Sequence, residues 1–250
     1  MKTEVIKLFE DRDATLTTYL VENSEEVAHM SKRPAILVCP GGGYYICSAR
    51  EGEIVALQYL ARGYNCFVLR YSCGKGNCTW PRPLEEAEKA MEYILNNADE
   101  LGVDVERTAV IGFSAGGHLA SMLGTCGKIR PKAMMLGYAC TLPDICDELA
   151  EPMPMPIESV DENTVPAFIF HAVNDDLVDV NHAFEMGKAL HSYNIPFEMH
   201  IYADGGHGFS VGTRAVTKSL ERLKEISFTN AWVGDSIRWF ESILPEKIDK

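Results

Sequence analysis

Apolar and polar positions along the chain follow two periods. Near the N terminus, residues 5–9 and 15–21 alternate apolar with polar, as strands do when one face meets a core and the other meets water. The polar stretch 10–13 between them predicts a turn, so the chain opens on an antiparallel hairpin. Short, mainly apolar runs follow at residues 35–39, 66–69, 108–111, 133–136, 167–170 and 197–201, and such runs suit strands covered on both faces. Between them, residues 54–61, 84–95, 115–123 and 182–190 carry helical patterns. Strand alternating with helix over this length predicts βαβ crossovers and an α/β fold, a mostly parallel central sheet flanked by helices on both faces.

Two amphipathic helices close the chain. One carries Val216, Leu220 and Leu223, the other Val233, Ile237, Phe240 and Leu244, each set forming a single apolar stripe that packs inward. No repeat or low-complexity linker interrupts residues 1–250, which read as one domain. The break in composition is residues 141–164, acidic, rich in Pro and Met and without a period. It predicts a long loop or a short cap, and two readings stay open: a functional lid, or a merely solvated crossover.

Composition narrows the class. A chain of 250 residues, 46% hydrophobic, can bury one large core. Ordinary Gly, Pro and aromatic contents with 24% charged residues exclude a disordered, collagenous or coiled-coil chain. Lys and Arg total 23 against 36 for Asp and Glu, a net charge of −13, so the attraction behind phosphate-backbone binding is missing and no nucleic-acid partner is expected. The N-terminal stretch lacks the basic start and unbroken apolar run of a secretion signal, and no stretch nears the ~20 apolar residues that cross a bilayer. A soluble, cytoplasmic protein with no membrane partner is the expectation. The eight cysteines, Cys39, Cys47, Cys66, Cys73, Cys78, Cys126, Cys140 and Cys146, are spread through strands and loops as buried reduced thiols are. Cys73 and Cys78 bracket Gly74 and Gly76 like a zinc knuckle, but no second ligand pair follows at a suitable spacing, so no metal site is expected.

The candidate chemistry begins at residues 109–120. An apolar strand runs into Gly112-Phe113-Ser114-Ala115-Gly116 and a helical pattern follows at once. A Gly-x-Ser-x-Gly match arises by chance in roughly one chain of this size in ten, but the strand before and the helix after are the context that a nucleophile elbow requires. The sharp turn exposes the Ser114 hydroxyl at a helix N terminus, where free N–H groups favour negative charge. A serine needs a base in hydrogen-bond contact, and a third group to orient that base. His207 lies just after the last strong strand with glycines on both sides, a place for an exposed, working loop histidine. The other histidines have quieter readings: His118 packs or bonds locally behind the elbow, His29 is in a polar loop, His182 and His191 are on a helix, His200 alternates within a strand, and His171, at a strand end, is a supporting or a core residue. For the acid, Asp175 is preferred, with Asp176 a close competitor and Asp179 a helix cap, because one sequence does not set the register of this loop. Cys39-Pro40-Gly41-Gly42-Gly43-Tyr44 follows a strand, and its bare glycines offer N–H groups; Gly42 or Gly43, with the N–H of Ala115, would form an oxyanion hole. No Gly-Lys-Ser/Thr follows the glycines, which argues against a phosphate loop.

With these pieces in order the chain resembles the α/β-hydrolase superfamily, and more narrowly the bacterial acetyl xylan esterase-like and carbohydrate esterase-like esterases. The likeness rests on residues 34–72, 80–94, 110–125, 170–179 and 204–210 and so runs through nearly the whole chain. It implies the α/β-hydrolase fold with an N-terminal antiparallel hairpin and a short cap or lid, and a triad carried onto Ser114, Asp175 and His207. The oxyanion hole falls on the turn 41–43 and Ala115. It also favours Asp175 over Asp176, since the family's acid stands just before an x-x-Val-Pro stretch, here Asp176-Leu177-Val178-Asp179 with Asp in place of Pro. A second departure is a segment between Tyr138 and Val165 shorter than the family's insertion, so part of the lid over the substrate pockets is expected to be missing. The implied activity is hydrolysis of short-acyl carboxylic esters, acetyl esters of carbohydrates foremost, through an acyl-enzyme and without metal or organic cofactor. The partner would be a small-molecule or oligosaccharide ester, contacted by Tyr44 and Tyr45; a homo-oligomer stays open. A serine exopeptidase, a dienelactone-type hydrolase and a non-catalytic binding protein on the same scaffold are the alternatives. Serine instead of cysteine at position 114 argues against the dienelactone type.

Overall fold

The two alternating segments at the N terminus form β1 (Lys2–Lys7) and β2 (Thr15–Leu20), paired antiparallel from Lys2 opposite Leu20 to Lys7 opposite Thr15. The computed structural model describes residues 1–246, and of residues 27–29 the backbone alone, so the side chain of His29 lies outside the described residues. Alternation predicted one buried face on each strand of the hairpin. In β2 that holds, but β1 is exposed along nearly its whole length, Val5 included, because it is the outermost strand of the sheet.

Strands β3 (Arg33–Cys39), β4 (Asn65–Arg70), β5 (Val103–Phe113), β6 (Ala133–Gly137), β7 (Ala167–Ala172) and β8 (Phe197–Tyr202) complete an eight-stranded sheet in the order β1-β2-β4-β3-β5-β6-β7-β8. β2 joins β4 antiparallel, and every pairing from β4 through to β8 is parallel. The apolar runs predicted strands covered on both faces, and β3, β6 and β7 are buried at every position. β8 is the exception: as the opposite edge strand it is exposed at Phe197 and only half-buried beyond it. β5 begins well before its apolar run, because polar Asp104, Glu106 and Arg107 carry it out to Val103, which pairs with Arg33 across a register shift.

The helices are α1 (Glu53–Leu60), α2 (Arg82–Asn96), α3 (Ala98–Leu101), α4 (Ala115–Cys126), α5 (Pro143–Cys146), α6 (Asn181–Ser192), α7 (Leu220–Ile226) and α8 (Ala231–Ile243). Successive strand residues point to opposite faces, so Leu37 joins a core layer with Met91 of α2, Leu119 of α4 and Leu190 of α6. Ile36 and Val38 join the other layer with Tyr59 of α1 and Phe240 of α8. The expected stripe Val216, Leu220, Leu223 does not form. The Ser219 hydroxyl accepts the N–H groups of Glu221 and Arg222 and starts α7 at Leu220, leaving Val216 in a separate 3-10 turn. Leu220 is 67% exposed and Ile226 is the residue that α7 buries. Residues 141–164 are more than a solvated crossover: they contain α5 and a 3-10 turn at Pro156–Ser159, and they bury Cys146, Leu149, Met153 and Val160 while their acidic side chains stay largely exposed. No helix among the described residues is long and apolar enough to cross a membrane.

Candidate active site

β5 ends at Phe113 and α4 begins at Ala115, leaving Ser114 alone to make the turn, at φ 53° and ψ −121°. That conformation is strained for a residue with a side chain, and neighbouring backbone holds it. The Ser114 N–H donates to the Gly137 carbonyl at 2.9 Å, and the Ser114 carbonyl accepts the N–H groups of His118 (2.9 Å) and Cys140 (3.2 Å). Glycine on either side is a steric requirement. A Cβ on Gly112 would lie 2.0 Å from the Gly116 carbonyl oxygen, and one on Gly116 would lie 2.1 Å from that of Cys39.

The fold brings Ser114, His207 and Asp175 together from the ends of β5, β8 and β7. Ser114 Oγ lies 3.0 Å from His207 Nε2, and His207 Nδ1 lies 2.9 Å and 3.2 Å from the two Asp175 carboxylate oxygens. Asp175 Oδ1 also accepts the N–H groups of Leu177 (3.0 Å) and Val178 (2.9 Å), so the loop holds its own acid in place. Burial alone would push the Asp175 carboxyl up, but the hydrogen bonds from His171 and His207, the charge of His207 and the Val178 amide outweigh it. The group is held well below the usual carboxylate range. His171, at the end of β7, donates from Nε2 to the Val178 carbonyl at 2.9 Å with Asp175 Oδ2 at 3.4 Å, a supporting position. The two other acids of the loop stand apart: Asp176 is exposed, and Asp179 accepts the Asn181 N–H at 2.8 Å at the start of α6.

The glycine turn after β3 borders the serine. Gly42 and Gly43 have φ of 126° and 63° and line the same cavity as Ser114 and His207, while Ala115 supplies an N–H in the unpartnered first turn of α4. That cavity has a volume of about 410 Å³ with mainly apolar walls, including Ile46 and Leu177. Tyr45, 59% exposed, lies at its edge. Tyr44 does not reach it. The Tyr44 ring is fully buried against Tyr71, and its hydroxyl is used up by His118 Nδ1 at 2.8 Å, so the expectation of a substrate contact there is corrected. His118 packs behind the elbow against Tyr44 and Trp80, the first of its two readings, while its bonds are not local: its Nε2 donates to the Pro154 carbonyl at 2.7 Å.

Residues 141–164 form one wall of the cavity through Ile145, Glu148 and Leu149. The segment is tied at several points: the Ala150 N–H donates to the Gly43 carbonyl at 3.0 Å, and His182 Nδ1 accepts the N–H groups of Thr141 (2.8 Å) and Leu142 (3.1 Å). Two residues of the site carry no signal in the sequence. Glu51, on the cavity wall, and Tyr138, whose ring packs on the His207 imidazole, take their places only when β3, β6 and the His207 loop converge.

Comparison with known proteins agrees with this architecture. The BD-FAE family model matches residues 25–134, which include the glycine turn and Ser114, and the prolyl oligopeptidase family model matches residues 152–236, which include Asp175 and His207. MGS-M1, an α/β hydrolase enzyme from a Medee basin deep-sea metagenome library, is 43% identical, with a TM-score of 0.92 over 98% of this chain and 99% of that one. The endo-1,4-β-xylanase B of Butyrivibrio fibrisolvens is 30% identical over 72% of this chain and 33% of that protein. The acetylxylan esterase of Xylanibacter ruminicola is 27% identical over 94% of this chain and 54% of that protein. The chain therefore spans only a third to about half of the length of these two curated relatives. Strand order, the elbow at Ser114 and a near end-to-end match to MGS-M1 point the same way, and the chain belongs to the α/β-hydrolase esterase family.

Proposed function

We propose that the protein hydrolyses carboxylic esters of short acyl groups, acetyl esters of carbohydrates foremost, through an acyl-enzyme on Ser114. The observation that carries this reading is the unbroken relay from Ser114 Oγ to His207 Nε2 (3.0 Å) and from His207 Nδ1 to Asp175 Oδ2 (2.9 Å). Ser114 Oγ attacks the ester carbonyl carbon while His207 Nε2 takes its proton, and Asp175 stabilises the imidazolium that forms. The carbonyl oxygen becomes an anion and takes N–H donors from Gly42 or Gly43 and from Ala115; each such donor typically lowers the barrier by ~3 kcal/mol. The imidazolium then protonates the departing alcohol oxygen. Water, deprotonated by His207, attacks the acyl-enzyme, and the acid leaves as Ser114 recovers its proton. The steps balance with ester and water alone. Acetyl and carbohydrate as the substrate class are supported by the name of the Xylanibacter ruminicola relative, an acetylxylan esterase, with Tyr45 at the cavity edge available to the alcohol portion.

Replacing Ser114 by Ala is expected to lower turnover of p-nitrophenyl acetate by several orders of magnitude with the protein still folded; a variant that keeps most of its activity refutes the assignment. A fluorophosphonate probe should label the wild type and not Ser114→Ala, and an unlabelled wild type would instead favour a non-catalytic binding protein. Acetylated xylo-oligosaccharides should be turned over faster than octanoyl esters, and the reverse order would remove the short-acyl class. The match to the prolyl oligopeptidase family supports one second reading, hydrolysis of peptide amides, for which dipeptide p-nitroanilides are the test.

A further inference from the structure

The turn 41–48 and the loop carrying His207 come from distant parts of the chain, yet one buried acid is bonded towards both. Glu51 is 3% exposed and borders the cavity. Its Oε2 accepts the Gly41 N–H at 2.9 Å, and its Oε1 accepts the Tyr138 hydroxyl at 2.6 Å. The same Tyr138 oxygen accepts the Ser210 N–H at 3.1 Å, just beyond His207 in the chain, while the Tyr138 ring meets the imidazole edge-on with centroids 5.1 Å apart. Tyr138 is fully buried and held at φ 36°, a conformation that few residues with a side chain adopt. Gly41 is wedged in between: a Cβ there would lie 2.8 Å from Glu51 Oε2 and 3.0 Å from the Ser114 Cβ.

Nothing in the proton relay uses Glu51. Burying a carboxylate is costly unless hydrogen bonds replace its water, and here both oxygens are engaged by groups that frame the reacting serine. We propose that Glu51 is a positioning residue: its carboxylate fixes the donor turn of the oxyanion hole against Ser114 and, through Tyr138, sets that turn relative to the His207 loop. The proposal rests on the hydrolytic reading given above. Its physical basis is that oxyanion donors act through preorganisation, so a turn free to shift loses transition-state binding while substrate binding is little changed.

The test compares Glu51→Ala, Glu51→Gln and Tyr138→Phe with the wild type on p-nitrophenyl acetate, with competent sites counted by end-point fluorophosphonate labelling. Displacements of about 1 Å can cost ~100-fold, so kcat per labelled site should fall roughly 10- to 100-fold in Glu51→Ala with KM within about two-fold. Affinity for a trifluoromethyl ketone, whose adduct places an oxyanion in the hole, should fall by a similar factor. Glu51→Gln keeps an acceptor for Gly41 but offers Tyr138 a donor in place of an acceptor, so it should fall between Ala and wild type. Tyr138→Phe removes the hydroxyl bonds to Glu51 and to the Ser210 N–H, leaves the bond from Gly41, and should also lower kcat. A merely structural acid would reduce the number of labelled sites and the melting temperature, and leave kcat per site and ketone affinity within about two-fold; that result overturns the proposal. Should Glu51→Ala fail to fold, the same two quantities in Glu51→Gln and Tyr138→Phe decide it. Full activity in Ser114→Ala would instead overturn the hydrolytic reading, which separates the two failures.

Discussion

His118 stands one helical turn behind Ser114 with both ring nitrogens engaged, Nδ1 by the Tyr44 hydroxyl and Nε2 by the Pro154 carbonyl. Burial pushes its pKa down to about 4, against the partial support of the Pro154 carbonyl. The unfolded chain, with a histidine near ~6.5, takes up a proton that the folded state refuses, so stability is full above that pH and falls as pH drops towards 4, by roughly 3 kcal/mol. His182, also depressed by burial, acts in the same direction. Melting temperature should therefore decline between pH 6.5 and 4.5, and His118→Asn should show a shallower slope; parallel slopes would refute this role. Residues differ in how far the chain alone announces them. Ser114 and His207 stand out because glycines flank them; the steric reason at Gly112 is local, the carbonyl oxygen of Gly116, whereas at Gly116 it is the distant Cys39 carbonyl oxygen. Tyr44 reads as equivalent to Tyr45 in sequence, and packing on Tyr71 with the bond to His118, 74 residues away, holds it inward. Asp175 and Asp176 are neighbours of identical chemistry, and the turn that hydrogen-bonds Leu177 and Val178 to Asp175 selects between them.

At the scale of elements, α8 reaches the site from behind. Trp232 stacks on Phe170 of β7, centroids 4.3 Å apart and planes 7° from parallel, and its Nε1–H donates to the Ser210 carbonyl at 2.8 Å. Trp232→Phe keeps an aromatic ring for the stack and leaves that carbonyl without its partner, which should cost about 1–3 kcal/mol and speed amide exchange across residues 208–212. Unchanged denaturation and exchange would show that the bond contributes nothing. The interior strands were legible because uninterrupted apolar runs have few other uses. The edge strands β1 and β8 and the start of α7 were less so, since period alone cannot say which face a neighbour covers, or where a cap such as Ser219 starts the helical count. Residues 141–164 have no period at all, and their place on the cavity wall follows from the long-range bonds to Gly43 and His182.

One sheet with a core layer on each face makes the whole molecule a single cooperative unit, which is our proposal for its domain organisation. Chemical unfolding followed by tryptophan fluorescence and by far-ultraviolet circular dichroism should give coincident transitions; two separated midpoints would divide the chain. Composition, period and short motifs by themselves determined the α/β class, the hairpin at the start, the strand-to-helix elbow and the candidate histidine, because each is written in a pattern of neighbouring residues. Only the tertiary structure decided which aspartate faces His207, which tyrosine faces the cavity, and that Glu51 and Tyr138 join the site. Those outcomes depend on where strand ends far apart in the chain converge, and burial and hydrogen-bond satisfaction are settled there rather than in any one segment.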